Sequence, residues 1–343
     1  MTVRVNLQQM LADGRWLAHR YDDTRDHYQM RFLDREAHDV ATFITDDYLG
    51  VADDMVTLDR RQAAAAVHDH TPLHFIVHSA FCASTMLARG FNLPGISMGL
   101  KEPVLLNDIV GYRRRGAAPA AVAERLDHAM QMLARPFGTG EVTVVKPSNV
   151  FNALVPLALP MRAQSKAVLL YAPLRVFLVS VARKGLWCRL WCRELLEGLI
   201  TDGIVDLGFE PRDYFRQSDL QVAATGWLAQ HRLFHDIAAR FGPDRIATLD
   251  SEALTGRPQA MVAASASHFG IDIPKALLGN HPAFATHSKF GGSFDSSDRQ
   301  AEHAAGAAAH EEEIETVLVW AEAVADAAGI ELTLPAALQP VQS

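Results

Sequence analysis

The chain has 343 residues, 49% of them hydrophobic and 21% charged, so it has the length and composition to fold around a sizeable core. A net charge of −8 and a pI near 6.0 argue against general binding to nucleic acid or to an anionic membrane surface, both of which need a basic face. Three cysteines, Cys82, Cys188 and Cys192, make no disulfide framework, and a reducing cytoplasm is the simplest setting for them.

Residues 1–70 are mixed and polar. The stretches 7–19 and 35–48 read as helical, with Trp16, Tyr21, Tyr28, Phe32 and Phe43 set among charges. The expectation is an N-terminal helical segment packed on the core. No signal-peptide core follows Met1, and the longest apolar run, 167–182, is broken by Pro173 and Arg175 and is too short to span a membrane.

From Leu73 the pattern changes. Apolar runs at 73–78, 96–100, 142–146, 167–171 and 246–249 read as strands buried on both faces, and helical stretches separate them. This predicts residues 71–343 to be an α/β domain: a three-layer, P-loop-like fold with a central, mainly parallel sheet flanked by helices. A helix over 222–241 stops at Gly242-Pro243, and another over 258–269 starts on proline and ends before Gly270. The alanine-rich tail over 297–328 is predicted helical. The Gly-, Ser- and Phe-rich stretch 281–299 has no period and is predicted to be a functional loop.

The most informative segment is His74 to Arg89. A buried strand runs into a turn of small and hydroxyl residues, Ser79-Ala80-Phe81-Cys82-Ala83-Ser84-Thr85, and then into a helix. Backbone N–H groups at such a junction suit an anion, and Ser84 and Thr85 add hydroxyls. The bland alternative is a polar turn with a helix cap. No Gly-x4-Gly-Lys-Ser/Thr motif occurs, which removes the ordinary triphosphate reading. His231 and His235 have metal-ligand spacing but lack the glutamate of a zinc-protease helix, and Cys188 with Cys192 has no second ligand pair nearby, so no metal is expected. Cys82 as a phosphatase nucleophile would need an arginine six residues on, where Ala88 stands.

The strand–loop–helix is followed by Leu100-Lys101-Glu102-Pro103, then Val145-Lys146-Pro147-Ser148-Asn149, then Tyr171-Ala172-Pro173-Leu174-Arg175 leading to Ser180, then Leu249-Asp250-Ser251-Glu252. This order resembles the sulfotransferase family, whose members use 3′-phosphoadenosine-5′-phosphosulfate (PAPS) as sulfuryl donor. The resemblance covers roughly residues 73–330. It implies that Ser79, Cys82, Ala83, Ser84 and Thr85 hold the 5′-phosphosulfate. It also implies that Ser180 with Arg175 holds the 3′-phosphate, with Arg183 and Lys184 as alternatives to Arg175, and that Lys289 in the late loop assists. Glu102 matches the carboxylate that deprotonates the acceptor, His78 is a further donor or base, and Lys101 or Lys146 is a source of positive charge. The acceptor is expected to be a small molecule with a hydroxyl or amine. Two departures stand out: Phe81 falls where the family's loop has a basic residue, and Ala172 falls where it has the 3′-phosphate arginine. They favour the alternative of a non-catalytic binding or scaffold protein that has lost its donor site.

Overall fold

The computed structural model describes residues 7–50, 52, 55–67, 71–279, 281–284, 306 and 308–340. The N-terminal part corrects the sequence expectation. Only Leu7–Ala12 of the first stretch is helical. Strands β1 (Trp16–Asp22) and β2 (His27–Phe32) then form an antiparallel hairpin, joined on its other side by β3 (Val56–Asp59). The second stretch yields two short helices, Arg35–Val40 and Asp46–Leu49. The reason lies in the side-chain period. From His27 to Arg31 burial alternates, with Tyr28 and Met30 inside, which is a strand's period of two. The turn is set by Asp22, whose carboxylate accepts from the Thr24 N–H (3.0 Å) and hydroxyl (2.6 Å), and by Asp26 in the left-handed region.

The second sheet holds β4 (Leu73–His78), β5 (Ser97–Lys101), β6 (Val142–Lys146), β7 (Ala167–Tyr171) and β8 (Ile246–Asp250). All pairings are parallel and the order is β5-β6-β4-β7-β8. Alternate strand residues feed two separate cores. Phe75, Val77, Met98, Leu100, Val145 and Leu169 face one side, with Leu105, Leu126, Phe151 and Phe234. Ile76, Val144, Val168, Leu170 and Leu249 face the other, with Leu87, Phe177, Trp227, Met261 and Ile314. Helix, sheet and helix are therefore stacked as three layers. The N-terminal hairpin shares the first of these cores through Leu17, Tyr28 and Met30. Arg135, fully buried, fastens it by donating to the carbonyls of Met10 and Trp16.

The helices marked in the sequence run over Asp219–Phe241, opened by a Ser218–Gln221 capping box, and over Pro258–Phe269, closed by Gly270 at φ +78°. Of the predicted tail helix the structure describes Glu311–Ala328; 297–305 lies outside the described residues. Among the described residues no helix is long and apolar enough to cross a membrane.

The chain leaves β4 toward β5 on one side and later reaches β7 on the other. The order reverses at β4, and ligands of open α/β sheets bind at the strands' carboxyl ends beside such a reversal. The helix leading away from β4, Ser84–Arg89, is seated against β5 at Gly99, where an added Cβ would meet the Ala88 carbonyl oxygen at 2.0 Å. Gly99→Ala is therefore expected to cost about 1–3 kcal/mol in urea unfolding and to displace the loop that precedes this helix. An unchanged midpoint would show that the helix has room to shift.

Candidate functional site

The loop after β4 has an unusual backbone. Ala80 (φ +72°), Phe81 (φ +52°) and Ala83 (φ +61°) are all left-handed, and Glu102 at the end of β5 is too (φ +50°). Among the described residues six non-glycine positions have positive φ, and these four lie at the carboxyl ends of β4 and β5, the two strands that flank β6. Each costs about 1–2 kcal/mol for an L-residue. Such backbone persists where the surroundings impose it, and it clusters at ligand sites. Successive amides in this conformation form a concave nest for an anion. The helix cap is Ala83 itself, which has no side chain to bond the first turn, so the loop is no ordinary Ser/Thr cap.

Ser79 opens the loop. Its N–H continues the ladder to the Leu170 carbonyl (3.2 Å), while its buried hydroxyl has no hydrogen-bond partner among the described residues. Ser84 and Thr85 are both buried in the first turn. Cys82 departs from its expected role. Its side chain belongs to the core, and burial pushes the thiol up to about 11, against the charge of Lys146 and hydrogen bonds from Ser84 and from the Ser79 backbone. The thiol is an inert post around which the loop turns, and only its backbone is left for a ligand.

His78 also differs from the expectation of a donor or base. The Ala80 N–H donates to Nδ1 (3.2 Å), so the proton is on Nε2, which donates to the Pro147 carbonyl (3.1 Å). The ring ties the loop to the end of β6. The Asn152 side chain extends this contact, donating to the His78 carbonyl and to Gln230 Oε1 (both 3.0 Å). Asn152 was not singled out in the sequence. Its signal is an amide inside the apolar run Val150–Leu154, and it is fully buried.

Glu102 stands where β5 ends, beside β6. Its carboxylate pairs with the ammonium of buried Lys146 and lies 3.9 Å from His78 Nε2. Lys146 in turn lies over the Phe43 ring, 4.8 Å from its centre. Lys101 is not part of this group. Its ammonium donates to the backbone carbonyls of His38 and Ala41 and closes the helix Arg35–Val40, so the catalytic role expected for it is replaced by a structural one. Lys101 stands in register with Lys146 on β6, so the two share a sheet face; what separates them is the partner each ammonium reaches, the carbonyls of the helix Arg35–Val40 for one and Glu102 for the other. Burial, helped by the charge of Arg89, pushes Lys101 down to about 8.

A pH dependence follows. Between pH 8 and the ordinary lysine range near 10.5 the unfolded chain binds this proton and the folded chain does not, so stability rises with pH. Against Lys101→Met, the wild-type protein should gain on the order of 3 kcal/mol across that window in urea unfolding. A flat difference would contradict the burial argument.

The 3′-phosphate candidates divide. Arg175 is exposed and pairs with Glu315 on the helix Glu311–Ala328, so it is committed away from the loop. Ser180 does not open a helix: it is the seventh residue of the helix Leu174–Arg183, which starts from a Pro173 cap. Its position is nonetheless apt. Phe177, Ser180 and Lys184 share one face by the i, i+3, i+7 rule. Phe177 meets the Phe81 ring (centres 5.8 Å apart), and the Lys184 ammonium lies 4.6 Å from the centre of the same ring. Ser180 lies between them and is buried. Trp191 closes the aromatic group against Phe81 at 5.5 Å. Ala172 is fully buried, and its carbonyl accepts from Trp227 Nε1 (2.9 Å). Lys289 lies outside the described residues. Among the described residues no group of three His, Cys, Asp or Glu could hold a metal ion.

No protein-family model matches the chain, and no curated protein matches it. Three solved structures to which it is similar are sulfotransferases. The sulfotransferase domain of the Synechococcus PCC 7002 olefin synthase is 14% identical, with 80% of this chain and 93% of that one covered and a TM-score of 0.40. The sulfotransferase domain from the curacin biosynthetic pathway is 13% identical, covering 78% and 100%, with a TM-score of 0.42. Sulfotransferase STF1 from Mycobacterium tuberculosis H37Rv is 13% identical, covering 66% and 77%, with a TM-score of 0.40. Likeness this distant leaves the chemistry of this chain to its own residues.

Proposed function

We propose that the chain is a sulfotransferase-like enzyme that binds PAPS at the loop after β4 and transfers its sulfuryl group to a hydroxyl or amine of a small-molecule acceptor. The observation that carries this reading is the concentration of left-handed, non-glycine backbone at Ala80, Phe81, Ala83 and Glu102, around a buried Ser79 hydroxyl with no partner among the described residues, where the sheet order reverses.

In this reading the loop amides and Thr85 hold the phosphosulfate, and Ser180 reaches the 3′-phosphate. The acceptor's oxygen or nitrogen bonds to sulfur as the sulfur–oxygen bond to phosphate breaks. The acceptor proton passes to Glu102. Catalysis is mostly positioning and electrostatic stabilisation, with no metal.

The alternative is a non-catalytic protein of the same fold. The pairing of Glu102 with Lys146 and of Arg175 with Glu315 favours it, because both occupy groups that transfer would use.

Thermal unfolding with adenosine 3′,5′-bisphosphate tests whether the donor site is present. A ligand at a hundredfold excess over its Kd stabilises the folded state by about 2.7 kcal/mol, and Thr85→Ala and Ser180→Ala should each reduce the shift. No shift at millimolar ligand would remove both the donor site and the enzyme reading. The same absence of a shift would favour the non-catalytic protein that has lost its donor site, whereas a shift without sulfuryl transfer to any acceptor in a broad panel would leave the donor site and remove the transfer step.

A further inference from the structure

The loop after β4 carries no cationic side chain of its own, since its seven residues are Ser79, Ala80, Phe81, Cys82, Ala83, Ser84 and Thr85. A phosphosulfate brought there needs positive charge nearby as the leaving phosphate gains negative charge. On the β5 and β6 side Lys101 closes a helix, and Lys146, whose charge is felt at the buried Cys82 thiol, is offset by its pairing with Glu102. Arg175 is paired with Glu315.

The geometry points to Lys184 as the anion-binding cation of this loop, delivered from the neighbouring helix over the face of Phe81. The inference rests on the proposed function and names a residue for it. Phe81 occupies the loop position that in the family's pattern is basic, and its ring is the platform on which the Lys184 ammonium lies, 4.6 Å from the ring centre. The ring is held by Phe177 and Trp191, at 5.8 and 5.5 Å between centres, so the platform is braced from two helices. An ammonium over an aromatic face keeps its charge and its capacity to donate to an anion. Lys184 is one helical turn beyond Ser180, so the same helix face presents a hydroxyl and a cation toward the loop. Lys184 also donates to the Ser180 carbonyl at 3.4 Å, which keeps its stem along the end of its own helix.

The bland role for Lys184 is that of a basic residue closing a helix C-terminus. The two roles separate in calorimetric titration of the full chain with adenosine 3′,5′-bisphosphate, run at several salt concentrations beside thermal unfolding. As an anion ligand, Lys184→Gln and Lys184→Met each raise Kd by about tenfold or more and flatten its salt dependence. Lys184→Arg stays within a few-fold of wild type. Phe81→Lys in the Lys184→Gln background restores affinity, because the charge returns from the loop itself. A lowered Tm with unchanged Kd in both neutral variants overturns the inference and leaves Lys184 as a helix cap, with the nucleotide site intact. A wild-type chain that binds no nucleotide overturns the proposed function and this inference together. Should Lys184→Met fail to fold, Lys184→Gln, which keeps the polar stem, gives the reading.

Discussion

Glu102→Ala is expected to lower stability by about 3–5 kcal/mol, far more than the loss of a half-buried glutamate at a strand end would suggest. The reason is Lys146, whose side chain is 1% exposed and whose ammonium is paired with the Glu102 carboxylate. Removing the carboxylate leaves a cation in the interior without its counter-charge, and the desolvation already incurred is no longer offset. Glu102→Gln keeps an oxygen facing the ammonium and should cost clearly less. The pair of variants also separates structure from chemistry. Under the proposed function, Glu102→Gln folds, binds nucleotide and fails to transfer, because an amide takes no proton from the acceptor. Urea unfolding and nucleotide titration of both variants provide the check. A loss below about 1 kcal/mol in Glu102→Ala would mean that other groups around Lys146 carry its charge.

Trp227→Ala should cost a comparable amount, about 3–5 kcal/mol. Trp227 is among the largest fully buried side chains of the described residues and packs in the core on the Ile76 and Leu170 side of the sheet. It stacks on His231 at 4.2 Å between centres and donates to the Ala172 carbonyl. That carbonyl belongs to the short link between β7 and the helix bearing Phe177, Ser180 and Lys184. Trp227→Phe separates the contributions: most of the apolar burial remains, while the carbonyl loses its donor, at about 1–3 kcal/mol. Denaturant midpoints at constant slope would establish these as stability effects. If Trp227→Phe were neutral, the link would be held by its packing alone.

These two residues mark what the sequence can and cannot convey. The parallel strands were legible because burial on both faces leaves continuous apolar runs, as in Leu73–His78 and Ala167–Tyr171. The loop was legible from its small and hydroxyl residues. The N-terminal hairpin was obscured because its alternation, Tyr28 and Met30 inside with His27 and Gln29 at the boundary, is short and sits among aromatics that also suit a helix. Lys101 and Lys146 are equivalent as letters at strand ends, but one faces backbone carbonyls some 60 residues upstream and the other faces Glu102. Such long-range partners leave no local signature. Nor does a glycine mark each left-handed turn: Ala80, Phe81 and Ala83 adopt the conformation without one. The Phe177, Ser180 and Lys184 face could be read from helical spacing, and its destination at Phe81 required the fold.

The central claim is that a 3′-phosphoadenosine nucleotide binds at the loop after β4. Amide hydrogen exchange across the whole chain, with and without adenosine 3′,5′-bisphosphate, tests it most directly because it reports both binding and place. The account predicts slowed exchange confined chiefly to residues 79–86 and to the helix Leu174–Arg183 with Lys184 beyond it. Protection elsewhere with residues 79–86 unaffected, or no protection at saturating ligand, would contradict it.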